Sequence, residues 1–185
     1  MADFKIAYDI VRKNEGGYAN NPKDRGGETY KGIARKIFPS WSGWIYVDAF
    51  KPRPGFPKSL EKSEALQAAV LSFYENEFWK KMSLDTIIPQ DICNELFDTA
   101  VNMGVGTAGL FLQRALNVTN KQGALYGDLK LDGVIGPKTV SYVNIHPNKK
   151  GLLTILRSLQ GARYVEICEH NPSQEIWMNG WLERV

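Results

Sequence analysis

Asn14-Glu15-Gly16-Gly17-Tyr18, continued by Asp24-Arg25-Gly26-Gly27-Glu28-Thr29-Tyr30-Lys31-Gly32-Ile33, is the stretch around which this chain of 185 residues is organised. It sets an acidic residue at the end of a helix, then a glycine-rich polar segment with two more carboxylates and a threonine. The helix is written just before it. Phe4, Ala7, Tyr8 and Val11 recur at i, i+3, i+4 and i+7, which predicts an amphipathic helix over about residues 2–14. Residues 15–33 carry five glycines and no strong periodicity, so they predict turns with a short irregular hairpin. Gly32 to Phe38 predicts a short helix that Pro39 stops.

Outward from there the chain is helical. Residues 39–58 mix Trp41, Trp44, Tyr46, Phe50 and Phe56 with Pro39, Pro52, Pro54 and Pro57, which forbids a long helix and predicts an aromatic-rich loop. Ser63 precedes a strong helix running to about Lys81. Pro89 opens the next, with Ile92, Leu96, Val101 and Met103 inward and Gly104 and Gly106 breaking it. Ala108–Leu116 predicts another helix, and residues 120–133 a polar link. Gly136-Pro137 starts a short helix, and Leu152 to about His170 forms the last long one before Asn171-Pro172. Six or seven helices with little strand signal predict a mainly α fold with a small irregular or β-containing lobe near residues 15–33.

The totals exclude several classes of function. A net charge of +3 is far from the balance of a nucleic-acid-binding protein, though it suits an anionic polymer. Cys93 and Cys168 are too few and too far apart for a disulfide framework or a zinc site, so two buried reduced thiols are expected. No window reaches the roughly 18 apolar residues of a membrane span, so no stable membrane insertion is expected. The start of the chain has no basic, apolar leader, so synthesis in the cytoplasm without a cleavable signal peptide is expected. His146 and His170 are isolated from any metal-binding or triad pattern.

The opening stretch carries the chemistry. A glutamate at a helix end against apolar walls has a raised pKa and serves as a general acid near neutral pH. A second carboxylate across a cleft positions or activates water. That pair is the minimum apparatus for hydrolysing a glycosidic bond. The flanking glycines let a bulky polymer approach the backbone. The same residues also suit a plainer role, with Glu15 capping local amides and the glycines making turns.

Glu15-Gly16-Gly17-Tyr18, then Asn21-Pro22-x-Asp24-x-Gly26-Gly27-x-Thr29-x-x-Gly32-Ile33, resembles the N-terminal signature of glycoside hydrolase family 108, lysozyme-like N-acetylmuramidases of phage endolysins and secretion activators. Further on, Phe97-Asp98-x-Ala100-Val101-Asn102-x-Gly104, Gln113-Arg114-Ala115-Leu116-Asn117 and Asp132-Gly133-x-Ile135-Gly136-Pro137-x-Thr139 resemble the peptidoglycan-binding segment that accompanies this family. Arg163-Tyr164 and the closing residues 177–184 resemble it more loosely. The resemblance implies a lysozyme-like helical fold, with a catalytic region over 1–95 and a helical peptidoglycan-binding region over 96–185 packed as one unit. It implies that Glu15 protonates the leaving oxygen between N-acetylmuramic acid and N-acetylglucosamine. By analogy with inverting phage lysozymes, which carry a Glu, an Asp and a Thr in similar order, Asp24 holds or deprotonates the water and Thr29 orients it.

Other residues stay open between two roles. Tyr30 lines the sugar cleft or sits in the core. Glu28 is a second acid or a solvated turn carboxylate. Asp98 and Asn102, four apart on one helix face, form with Gln113 a far wall of the cleft or a buried network tying helices together. Trp41 and Trp44 stack on sugar faces or wrap the core. Trp177 and Trp181 read as a packing stripe, and Asn117 as a helix cap. No metal or organic cofactor is needed, since proton transfer and water suffice. The expected partner is the glycan strand of peptidoglycan, met by a monomer after release through a holin or a secretion system. The alternative is a non-enzymatic wall-binding or secretion-accessory protein. An amidase or peptidase would need a zinc-ligand set or a Cys-His pair in context, and the absence of both argues against that class.

Overall fold

Helix α1 (Phe4–Val11) leads into a three-stranded antiparallel sheet, β1 (Tyr18–Asn20), β2 (Glu28–Tyr30) and β3 (Ile33–Ala34), in the order β1-β2-β3. Helices α2 (Gly43–Phe50), α3 (Glu64–Tyr74), α4 (Gln90–Met103), α5 (Val105–Thr119), α6 (Pro137–Ile145), α7 (Lys149–His170) and α8 (Met178–Leu182) follow. This is a computed structural model, and it describes residues 1–12, 16–20 and 27–185. The result is the mainly α, lysozyme-like fold with a small β-containing lobe that the sequence predicts. The chain forms two compact units, Asp9–Glu77 and Met1–Tyr8 with Phe78–Val185.

In the first unit the sheet is the organising element. Tyr18 pairs with Tyr30 and Asn20 with Glu28, while Tyr30 pairs with Ile33 across a two-residue turn. Lys31 and Gly32 in that turn both take positive φ, 45° and 76°, as a tight hairpin of native twist demands. This overturns the short helix expected over residues 32–38. Ile33 passes straight from the turn into pairing, and only a turn in which Ile37 and Phe38 donate to the Ala34 carbonyl follows. The aromatic segment holds one short helix, α2, between its prolines. Ser63 caps α3 as its sequence signalled, its hydroxyl accepting from the Leu66 N–H at 3.3 Å, a bond worth about 1 kcal/mol. The helix gives way at Glu75–Trp79 to a wider turn of π type.

In the second unit α4, α5 and α7 pack against one another around Leu96, Ala100, Leu112, Leu116, Leu152 and Leu156, all buried. Gly104, at φ 91°, turns α4 directly into α5. Phe4 packs edge-on against Phe97 and tilted against Trp79. The Ala2 N–H bonds to the Ile87 carbonyl, and Gln90 bonds to both the Asp3 N–H and its carbonyl. Cys93 and Cys168 are buried free thiols, as expected, and burial pushes the Cys93 thiol up to about 12. Among the described residues no helix is long and apolar enough to cross a membrane.

Candidate functional site

The two carboxylates on which the sequence argument turns, Glu15 and Asp24, lie outside the described residues. The strands that flank them in sequence are described. The Gly17 carbonyl accepts from the Lys31 N–H at 3.1 Å, so the second glycine of the Gly16-Gly17 pair is fastened to the β2–β3 turn. Thr29 is the central residue of the central strand, paired with Ala19 on one side and Ala34 on the other. Alternation along the strand puts its half-buried side chain on the face opposite Glu28 and Tyr30.

On that opposite face the side chains are bound to one another. Tyr30 is buried, and its hydroxyl donates to Glu61 Oε1 at 3.2 Å and accepts from Gln67 Nε2 at 2.9 Å. The Glu28 side chain is 12% exposed, with Arg35 Nε at 2.7 Å, Lys51 Nζ at 2.8 Å and the Tyr18 hydroxyl donating at 3.0 Å. It is a strand carboxylate with both oxygens engaged, rather than the solvated turn residue or spare acid that spacing offered. Arg35 also donates twice to Asp48, and Lys51 once. These bonds, Arg35's first, hold the Asp48 carboxyl below its usual range. Arg35 in turn lies 4.3 Å over the Trp44 ring, whose Nε1 donates to the Phe38 carbonyl. Trp44 is thereby committed to the fold.

Trp41 is placed differently. It lines a cavity of about 330 Å³ with Phe38, Phe73, Ser40, Ser42, Ala69, Ser72, Asn76 and Glu77. Gly43 makes this possible, because a Cβ there would stand 2.1 Å from the Trp41 ring. The indole N–H donates to the Ala69 carbonyl, and the ring meets Trp44 and Phe73 edge-on. Aromatic walls with hydroxyl, amide and carboxylate groups at hand match the chemistry of a sugar ring, which offers both C–H faces and hydroxyls.

The second unit holds the other sequence candidates. Asp98 and Asn102 do sit one turn apart on α4, but Asn102 Nδ2 donates to the Asp98 backbone carbonyl at 2.8 Å. The Asp98 carboxylate accepts from Gln160 Nε2 at 2.8 Å and from Arg184 Nη1 at 2.9 Å. Gln113 is not joined to them. Its Nε2 donates to Asp132 Oδ1 and the Val134 carbonyl, and its Oε1 accepts from the Gly133 N–H, so it stitches α5 to the 132–134 loop. Asn117 works likewise, exchanging two 2.8 Å bonds with the Leu129 backbone instead of capping its helix. Trp181 stacks on Tyr164, whereas Trp177 is exposed, so the two do not form one packing stripe. His146 is buried between Thr119 and Asn148, and burial lowers its pKa.

One titratable group escaped the sequence reading. Glu95 on α4 is 6% exposed, with Arg157 Nε 3.4 Å from Oε2 and, among the described residues, no hydrogen bond to Oε1. Burial, against the pull of Arg157, pushes its pKa from 4.5 up to about 7. The signal for it was an acid next to Leu96 on the inward face of a strongly amphipathic helix. Because the folded pKa is raised, this group's contribution is complete below the unfolded value of 4.5 and is lost as pH rises through about 7. The loss is on the order of 3 kcal/mol. Urea unfolding at pH 5 and pH 8 checks it: Glu95→Gln should flatten the difference that the wild-type chain shows. An equal pH dependence in both would contradict the assignment.

A family model described as glycosyl hydrolase 108 matches residues 8–104, and one described as a predicted peptidoglycan domain matches residues 107–185. A solved structure of Brucella abortus SagA aligns with 98% of this chain and 88% of that one, at 24% identity and a TM-score of 0.62, a likeness of fold. No curated protein matches the chain.

Proposed function

Because the chain belongs to the glycosyl hydrolase 108 family, we propose that it is an N-acetylmuramidase that cleaves the β-1,4 bond between N-acetylmuramic acid and N-acetylglucosamine in peptidoglycan. The observation that carries the reading is the family match across residues 8–104, which takes in Glu15, Asp24 and Thr29 together. The match over residues 107–185 supports the polymer as substrate.

Glu15 gives its proton to the bridging oxygen as the bond from that oxygen to the muramic acid C1 breaks. Water attacks C1 from the other face, passing its proton to Asp24, while Thr29 orients it. The leaving sugar keeps a free hydroxyl and the muramic acid becomes a new reducing end. Carboxyl groups roughly 6.5–9.5 Å apart correspond to this inverting course, and roughly 5 Å to a retaining one. Trp41 supplies a ring face to a sugar in the neighbouring cavity, and Tyr30 holds the strand beneath Thr29 through Glu61 and Gln67.

Digestion of purified sacculi, followed by borohydride reduction of the new ends, tests the bond. Reduced muramic acid is the expected product. Reduced glucosamine would mean cleavage of the other glycosidic bond, and new amino groups without reducing ends would mean an amidase. The anomer first formed, followed by NMR, decides between inversion and retention. Sedimentation with sacculi and no chemistry at all would favour a wall-binding accessory role.

A further inference from the structure

The Asp132–Thr139 stretch resembles a wall-binding motif, and its structure has a feature that the hydrolytic reading does not use. The loop at 132–134 is laid directly on α5, where Gly109 leaves room for it: a Cβ there would stand 2.0 Å from the Gly133 carbonyl oxygen. The chain then enters α6 through Gly136 and Pro137 with no side-chain cap. Lys138 and Thr139 follow, and their N–H groups have no partner among the described residues, as the first turn of a helix leaves them. Beside this helix start is a cavity of about 300 Å³ whose lining includes Gln113, Lys130, Asp132, Pro137, Lys138 and Thr139.

Thr139 points to a ligand independently of the helix start. It is 3% exposed, it lines the cavity, and its hydroxyl makes no hydrogen bond to any described residue. That hydroxyl opens to the cavity, so a ligand seated there finds a donor and acceptor that no described residue has taken. The charge of the lining says what that ligand is. Lys130 and Lys138 stand against one carboxylate, Asp132, and the helix start adds about half a positive charge. Asp132 stays ionised, since the Gln113 amide and the Val134 N–H donate to Oδ1 and hold its pKa down. The balance suits one negative charge, with an N–H donor close by for Asp132. No aromatic ring lines the cavity, so a sugar face finds nothing to stack on.

We propose that the start of α6 binds the free carboxylate at the end of a short peptide, the stem peptide in the case of peptidoglycan. The carboxylate accepts from the Lys138 and Thr139 N–H groups and the Thr139 hydroxyl, and the preceding peptide N–H donates toward Asp132. The choice of peptidoglycan rests on the function proposed above; the carboxylate site does not.

The test is an amide NMR titration of the full chain with N-acetyl-D-alanyl-D-alanine, with the same peptide as its C-terminal amide, and with inorganic phosphate. The free acid should shift the Lys138 and Thr139 amides saturably, and the amidated peptide should bind about tenfold or more weakly. Thr139→Val, which keeps the shape and removes the hydroxyl, should weaken the free acid several-fold, and Thr139→Ser should restore it. Equal binding of acid and amide, no saturable shift, or tighter binding of phosphate would each overturn the proposal. Should Thr139→Val not fold, the acid-against-amide comparison on the wild-type chain decides alone. Acid-selective binding by a protein that releases no reducing ends from sacculi would sustain this site and remove the hydrolase reading. Reducing ends without peptide binding would do the opposite.

Discussion

Glu15→Gln is expected to release reducing ends from purified sacculi at least about a hundredfold more slowly than the wild-type chain, with its unfolding transition unchanged. The size follows from what a positioned general acid contributes, typically 10²–10⁴ in rate. Glutamine keeps the length and the polar end of the side chain but has no proton to give to a leaving alkoxide. The wild-type rate should fall on the alkaline side as the acid loses its proton, and that limb should be missing from the residual activity of the variant. Sedimentation with sacculi should survive the substitution, because the segment matched by the peptidoglycan family model, residues 107–185, is untouched by it. Equal rates for the two proteins would remove Glu15 from the mechanism. A slow variant that also unfolds early would assign it a capping role instead.

Asp98→Ala should lower the unfolding free energy by roughly 3–5 kcal/mol, as breaking one side of a buried charge pair does. Its carboxylate is the meeting point of α4, α7 and the C-terminal segment through Gln160 and Arg184. The Arg184 side chain is 11% exposed, so removing its partner strands a charge where water reaches poorly. Gln160 is fully buried and would keep only the Tyr164 hydroxyl as a partner for its amide nitrogen. Asp98→Asn should cost less, since it retains an acceptor for Gln160. Urea unfolding measures both. Hydrogen exchange should show residues 172–185 opening first in the alanine variant. A loss of stability under about 1 kcal/mol, or a raised KM with stability intact, would return Asp98 to substrate binding.

Much of the fold could be read from the chain because its signals are local. The α4 stripe, the proline start of α6, the Ser63 cap and the Asn171-Pro172 stop are each decided within a turn or two. The β3 strand was not legible, since Gly32-Ile33-Ala34 has no strand-like alternation and becomes a strand only by pairing with Tyr30. Side-chain partners across long separations were the least legible. Spacing placed Asp98 and Asn102 on one helix face correctly. Nothing local told that Gln113 turns to a loop 19–21 residues further on. Trp41 was singled out by its proline-rich setting, but the cavity that distinguishes it from Trp44 is made by α3, and the burial of Glu95 by packing around α4.

The attachment of Met1–Tyr8 to the unit of Phe78–Val185 bears on how this chain is handled at the bench. The hydrolase family segment ends at residue 104 and the next begins at 107, which invites cutting there and trading the pieces as cassettes. Such a cut would part α4 from α5 and leave Phe4, Trp79 and Phe97 on one fragment without the helices that complete their core. A hybrid hydrolase built from this scaffold should exchange residues 9–77, leaving the first eight residues with the helical unit that they help to close.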